Sequence, residues 1–255
     1  MQEFFKSGRY LFAIAIIAFG IIQFVTGNFM SSFIPVDTAL TGRAIFLYSI
    51  STLFIVAGLT LFFIKTAGGG ALISAWLFLA VFLYPHFFHL VRDWHNPGIW
   101  TGIAEILGFA GGGFILRGIY FDNKSANISP LMKINMMIGR ILVAISLLIV
   151  GIQHLMYADY ISTLIPSWIP FSVFWAYLIG VAFIASAFSI LINIKTRLAF
   201  TLLGFMFLFW VIFLHAVRVA NDRHKETEWT SLFVALGFCG IFFTIAGLYS
   251  GKKTA

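Results

Sequence analysis

Charge is what this chain has least of. Asp, Glu, Lys and Arg make up only 10% of its 255 residues, against about 25% in an ordinary soluble domain. A deficit that large excludes a fully solvated surface and leaves lipid as the medium the chain must face. Cysteine is almost absent too. Cys239 stands alone, which excludes disulfide frameworks, CxxC redox pairs and cysteine-based zinc sites within one chain. There is no HExxH-type arrangement and no arguable Ser/His/Asp nucleophile set. Gly68-Gly69-Gly70 lacks a following Lys-Ser/Thr, so it reads as a turn and not as a phosphate loop.

What fills the chain instead is apolar. Hydrophobic residues reach 61%, and they fall in long charge-free windows such as 44–64 between Arg43 and Lys65, and 198–217 between Arg197 and Arg218. A spanning helix needs roughly 20 apolar residues to cross a hydrocarbon core about 30 Å thick. A membrane β-barrel would show short alternating segments. Continuous runs point to helices, which satisfy their own backbone in lipid. The expected spans are 9–27, 43–64, 69–91, 100–119, 138–157, 171–194, 197–218 and 229–250. Lys6 and Arg9 precede an apolar run with no small-residue cleavage site, so this segment reads as a retained first span. The fold class is therefore all-α integral membrane, with eight transmembrane helices.

The net charge of +7 does not mark a nucleic-acid partner, because the basic residues are single and scattered at helix ends. Lys6, Arg9, Lys65, Arg117, Lys124, Lys133, Arg140, Lys195, Arg197, Lys252 and Lys253 share one side. The other side holds Arg43, Arg92, Arg218, Arg223 and Lys225, with most of the acids. The positive-inside rule then places both termini in the cytoplasm. Asn123-Lys124-Ser125 and Asn127-Ile128-Ser129 match the glycosylation pattern but fall on the cytoplasmic side, where it is not used. All six histidines lie toward the outer half: His86, His89, His95, His154, His215 and His224.

The two halves align at an offset near 131. Gly8-Arg9 matches Gly139-Arg140, Gly20-Ile21 matches Gly151-Ile152, and Trp100-Thr101 matches Trp229-Thr230. Leu107-Gly108-Phe109 matches Leu236-Gly237-Phe238, and His89-Leu90-Val91-Arg92 is set against His215-Ala216-Val217-Arg218. This predicts two parallel four-helix repeats, 1–119 and 138–255, joined by a cytoplasmic linker at 120–137. An even helix count per unit relates parallel repeats by an axis along the membrane normal.

The second half carries Gly151-Ile152-Gln153-His154, Ile165-Pro166, Trp175 to Gly180, His215 to Arg218 and Glu228-Trp229-Thr230. This pattern resembles the DoxX family of small four-helix membrane proteins, once per half. Here the unit is duplicated, and the first half has Gln23 where the second has His154. The resemblance implies a bacterial-type inner membrane and a role as an accessory or quinone-linked subunit of a redox system. It makes a protein partner in a redox or envelope complex an expectation alongside membrane lipids.

Six residues are candidates for chemistry. His89 with Arg92, and His215 with Arg218, are three apart and share a helix face. One reading makes them interfacial anchors at helix C-termini. The other brings the two pairs together near the axis, as an outward His/Arg pocket for an oxyanion, a quinone carbonyl or a lipid phosphate. His154 ends the fifth span beside them, where a haem or metal site would need a denser ligand cluster. Glu105 is the one acid inside an expected span, either a functional group or a protonated interior hydrogen-bond donor. Gly111-Gly112-Gly113 is read as a site of close helix packing. A non-enzymatic reading stands beside the redox one: a transporter of lipid or small solute, or a scaffold that docks a periplasmic partner.

Overall fold

The computed structural model describes residues 7–120 and 129–249. Among these, eight helices are long and apolar enough to cross a membrane. They are α1 Gly8–Thr26, α2 Arg43–Phe62, α3 Ala67–Arg92, α4 Pro97–Tyr120, α5 Pro130–Met156, α6 Ser172–Ile192, α7 Thr196–Asn221 and α8 Glu226–Leu248. Gly27, at φ 63°, closes α1 in the left-handed conformation that glycine takes without strain. The histidines gather at the end of the bundle where the odd-numbered helices finish, here termed the histidine end. Lys6, Lys124, Lys252, Lys253, Asn123 and Asn127 lie outside the described residues.

Two expectations need correction. Residues 130–137 are not linker; they are the first turns of α5. Ser129 caps that helix by accepting the Met132 N–H at 3.4 Å, with Pro130 in its first turn. Charged Lys133 hides this start from a hydropathy window. Gly68-Gly69-Gly70 is likewise no turn but opens α3. A Cβ on Gly70 would lie 2.6 Å from the Ala57 carbonyl oxygen, so its lack of side chain lets α3 close on α2.

The most buried helices are α4 and α8, with 78% and 67% of their spanning windows inside the protein. They touch each other, and each reaches across to the other half: α4 packs on α5, and α8 on α1. Lipid gives no hydrophobic force between helices, so close approach of backbones must hold them. Glycine provides it at two crossings. A Cβ on Gly240 would lie 2.5 Å from the Gly8 carbonyl oxygen, and one on Gly139 would lie 2.6 Å from that of Gly111. The Gly111 run thus does pack closely, as its sequence implies.

The same contacts recur about 130 residues apart. Gly20 sits on Ile55 as Gly151 sits on Ile184. The Trp100 indole donates to the Trp94 carbonyl at 2.8 Å, as Trp229 does to Arg223 at 3.0 Å. Phe109 and Phe238 meet edge-on at 5.3 Å between α4 and α8. Each of those rings occupies the space a Cβ would need on the opposite helix, at Gly237 and Gly108.

Both α3 and α7 contain a π-helical turn, Phe82–His86 and Val211–His215. Pro85 supplies a cause in the first, since it lacks an N–H and crowds the preceding turn. The second contains no proline. Wide turns of this kind are frequent at functional sites.

Candidate functional site

The π turns set the register of the histidines. Each ends on a histidine, so His215 occupies the place of His86, and Arg218 the place of His89. The sequence alignment sets His89 against His215; position along α3 and α7 sets His86 there instead. The motif match required a three-residue slip, whereas helices of equal length with the same π turn leave no slip. His89 is half-buried and Arg92 exposed. No hydrogen bond or ion pair joins either of them to His215 or Arg218 among the described residues. The two His/Arg pairs thus make no direct polar contact with each other among the described residues. The structure instead packs α3 on α2 and α4, and α7 on α8, in separate halves.

Arg218 has a different task. Its Nε donates to Glu228 Oε2 at 2.7 Å and its Nη2 to Glu228 Oε1 at 3.1 Å, while Lys225 Nζ donates to the same Oε1 at 2.9 Å. The guanidinium fork is thus filled by a carboxylate of its own chain, and it ties the end of α7 to the start of α8. Ten residues and a loop separate the partners, so no local pattern signals the pair.

In the first half, His86 is 2% exposed and its Nε2 lies 2.9 Å from the Phe33 carbonyl oxygen. Nε2 is the donor there, because a carbonyl only accepts. The imidazole is seated against Gly102, where a Cβ would lie 2.7 Å from its Cε1. The corresponding residue on α8 is Ser231.

In the second half, His154 and His215 are both half-buried. His154 Nδ1 lies 2.8 Å from the Val150 carbonyl oxygen, and its ring meets Phe183 edge-on at 5.2 Å. Phe183 in turn contacts Phe207 at 6.0 Å and Trp210 at 6.2 Å. Phe207, Val211 and His215 follow at four-residue spacing along α7, with His215 at the end of its π turn. Its Nδ1 is buried without a hydrogen-bond partner. The sequence pointed to His154 and His215 but missed Phe183, Trp210 and Glu228 as their surroundings. The distance of each π-turn histidine from Trp100 or Trp229 is the signal that pairs His86 with His215.

Glu105 lies on α4, roughly 12 Å along the axis from Pro97 at 1.5 Å per residue. It is half-buried. One turn before it, the Thr101 hydroxyl donates to Gln153 Oε1 at 3.1 Å, and Gln153 Nε2 donates to the Pro97 carbonyl at 2.7 Å. This joins α4 to α5 at the histidine end, but Glu105 makes no bond within it. Among the described residues, no three His, Cys, Asp or Glu side chains converge as metal ligands would.

Eight apolar helices, closed on one another through glycine and phenylalanine, define a multi-pass helical membrane protein. Compared with models of protein families, with curated proteins and with solved structures, the chain finds no match.

Proposed function

We propose that the chain is a DoxX-like accessory or quinone-linked subunit of a membrane redox system, built from two copies of one four-helix unit related by an axis along the membrane normal. The reciprocal glycine crossings and the paired π turns support the duplication. The single observation that carries the functional reading is His154 edge-on to Phe183, whose ring in turn meets Phe207 and Trp210, with His215 two turns beyond Phe207 on α7. Imidazoles beside aromatic rings suit a ligand that is mostly apolar with one or two polar atoms. Quinones have that character.

The test is purification in mild detergent followed by mass spectrometry of what an organic extract releases. A quinone near one per chain is the expected result. A purified protein that carries only phospholipid would end the redox reading. A lipid-binding or transport role would then take its place, favoured by the short contact between α6 and α7, which leaves that flank facing lipid.

The reading includes an inner, plasma-membrane location with both termini cytoplasmic and the histidine end outside. Asp37, Asp93, Asp159, Asp222 and Glu226 at the histidine end support this, as do Lys65, Lys133, Arg140, Lys195 and Arg197 at the other. A reporter inserted within 121–128 should read cytoplasm, and one beside Asp222 should read outside. The same side for both would overturn the topology. A protein partner in a redox or envelope complex would meet the histidine end, where Tyr160 and Trp168 are exposed.

A further inference from the structure

Two helices of the first half, α2 and α3, do not meet along their whole length. Away from the histidine end, Gly70 lets them close. Toward that end they part around a cavity of about 550 Å³, bounded also by the segment 34–41. Ile34, Ile50, Val81 and Pro85 line it and are buried. Thr41, Leu53, Ala80 and Tyr84 line it too and are exposed. The cavity is therefore a cleft that runs inward from the lipid-facing surface. Its side chains are apolar except for the Thr41 and Tyr84 hydroxyls. Its size falls within the roughly 300–1,000 Å³ of small-molecule sites.

A cation stands beside the rim. Arg43 is two residues on from Thr41 and one turn before Phe46, which also lines the cleft. Its guanidinium lies over the Phe29 ring at 5.3 Å, and Phe29 meets Phe46 at 5.5 Å. Nη1 donates to Asn28 Oδ1 at 3.3 Å, while Nε is buried without a hydrogen-bond partner. Among the described residues no carboxylate pairs with Arg43, in contrast to Arg218. Arg43 to Leu53 is about 15 Å along α2 at 1.5 Å per residue, half of a hydrocarbon core about 30 Å thick. The cleft thus has the depth of one leaflet, with its cation where α2 begins. The second half lacks both features. Ser172 opens α6 where Arg43 opens α2. Trp210 stands in the place of Val81, and its ring reaches Phe183 of α6 at 6.2 Å.

We infer that the cleft between α2 and α3 holds one acyl chain of a phospholipid from the leaflet at the histidine end, with the lipid phosphate on the Arg43 guanidinium. The chain lies against Ile50, Leu53, Leu77 and Ala80, and the Thr41 and Tyr84 hydroxyls face its polar end. Arginine's fork suits a phosphate, and an oxyanion there supplies the partner that the chain itself does not. A chain enclosed by two helices and a loop buries more apolar surface than one on an open helix face. That enclosure separates this lipid from the surrounding bilayer. The site goes beyond the redox reading and does not rest on it, because all of its residues lie in the first half.

The test uses the purified full chain in dodecyl maltoside, with phosphatidylglycerol that carries a photoreactive diazirine midway along one acyl chain. Irradiation and peptide mapping by mass spectrometry compare labelling of the cleft, residues 50–53 and 77–84, with labelling of the exposed faces of α6 and α7 in the same molecules. The cleft should take several-fold more label. Ala80→Trp adds a ring at an exposed position of the rim and should bring cleft labelling down to the level of those faces. Arg43→Gln should raise the lipid concentration for half-maximal cleft labelling about tenfold, the worth of one hydrogen bond to a charged group. Arg43→Lys should raise it less, since the charge remains. Diacylglycerol with the same photoreactive chain has no phosphate and should label the wild-type cleft as weakly as phosphatidylglycerol labels that of Arg43→Gln. That comparison needs no variant to fold. Uniform labelling, undiminished cleft labelling in Ala80→Trp or Arg43→Gln, or equal labelling by diacylglycerol would overturn the inference. So would displacement of the label by decyl-benzoquinone but not by unlabelled phosphatidylglycerol, which would assign the cleft to a quinone.

Discussion

Leucine at position 240 is expected to leave almost no folded protein. A Cβ there would lie 2.5 Å from the Gly8 carbonyl oxygen and 2.6 Å from the Phe12 backbone nitrogen. Both obstacles are backbone of α1, which cannot swing aside as a side chain would. Overpacking a core usually costs about 1–3 kcal/mol when side chains can yield, and here a whole helix must retreat. Since α1 and α8 are held by contact and not by hydrophobic force, retreat forfeits the crossing. Gly111→Leu should act alike, because its Cβ would lie 2.7 Å from the Gly139 carbonyl oxygen. The expected loss is at least ~10-fold in monodisperse yield on size exclusion, which about 1.4 kcal/mol already produces. Gly69→Ala provides the contrast. Nothing lies within 4 Å of a Cβ there, and the residue is exposed in the first turns of α3. That change should leave the melting temperature unchanged or raise it, as alanine is the better helix former by about 1 kcal/mol. A wild-type melt for Gly240→Leu would mean that α1 and α8 do not cross as described.

The second large effect is expected at Glu228. Its side chain is 7% exposed and accepts from both Arg218 and Lys225, whereas Arg218 remains 38% exposed. Solvent at the guanidinium screens the pair, so the attraction itself contributes about 1 kcal/mol or less. Removing Arg218 costs more, because the buried carboxylate is left with Lys225 alone and loses both guanidinium bonds. Arg218→Leu should therefore lower the melting temperature more than Glu228→Leu, which leaves two cations, Arg218 and Lys225, that solvent already reaches. The double substitution should recover part of the loss. Arg218→Lys should fall between wild type and Arg218→Leu, since lysine keeps the charge but loses one of the two parallel bonds. Arg92→Lys should be silent, as Arg92 is exposed and no ion pair of it is found among the described residues. Thermal melts of these variants decide the matter. Equal melts for all of them would reduce the Arg218–Glu228 pair to a surface contact.

These two expectations draw on different kinds of information. The glycines were legible in the sequence, because Gly111-Gly112-Gly113 inside an apolar run has one obvious use in lipid. Their partners were not: that Gly111 meets Gly139, and Gly240 meets Gly8, depends on how α4 and α8 are rotated. The fate of Arg218 was hidden for the same reason. An arginine three residues past a histidine looks free in one dimension, and only the turn between α7 and α8 delivers Glu228 to it.

The sequence by itself determined the eight apolar helices, their order and their approximate ends. Crossing lipid is a property of about 20 consecutive residues, so it is written locally. It also held the recurrence of the glycine and tryptophan positions between the halves. The tertiary structure decided that the π turn of α3 ends on His86 and that of α7 on His215, that Arg218 is bound by Glu228, and that Phe33 is buried while Leu164 is exposed. Those outcomes turn on which way a side chain faces and on what another segment, 10 residues away for Arg218 and 53 for His86, places before it. Helix phase, the π turn and packing between distant segments set both, and hydropathy along the chain carries none of them.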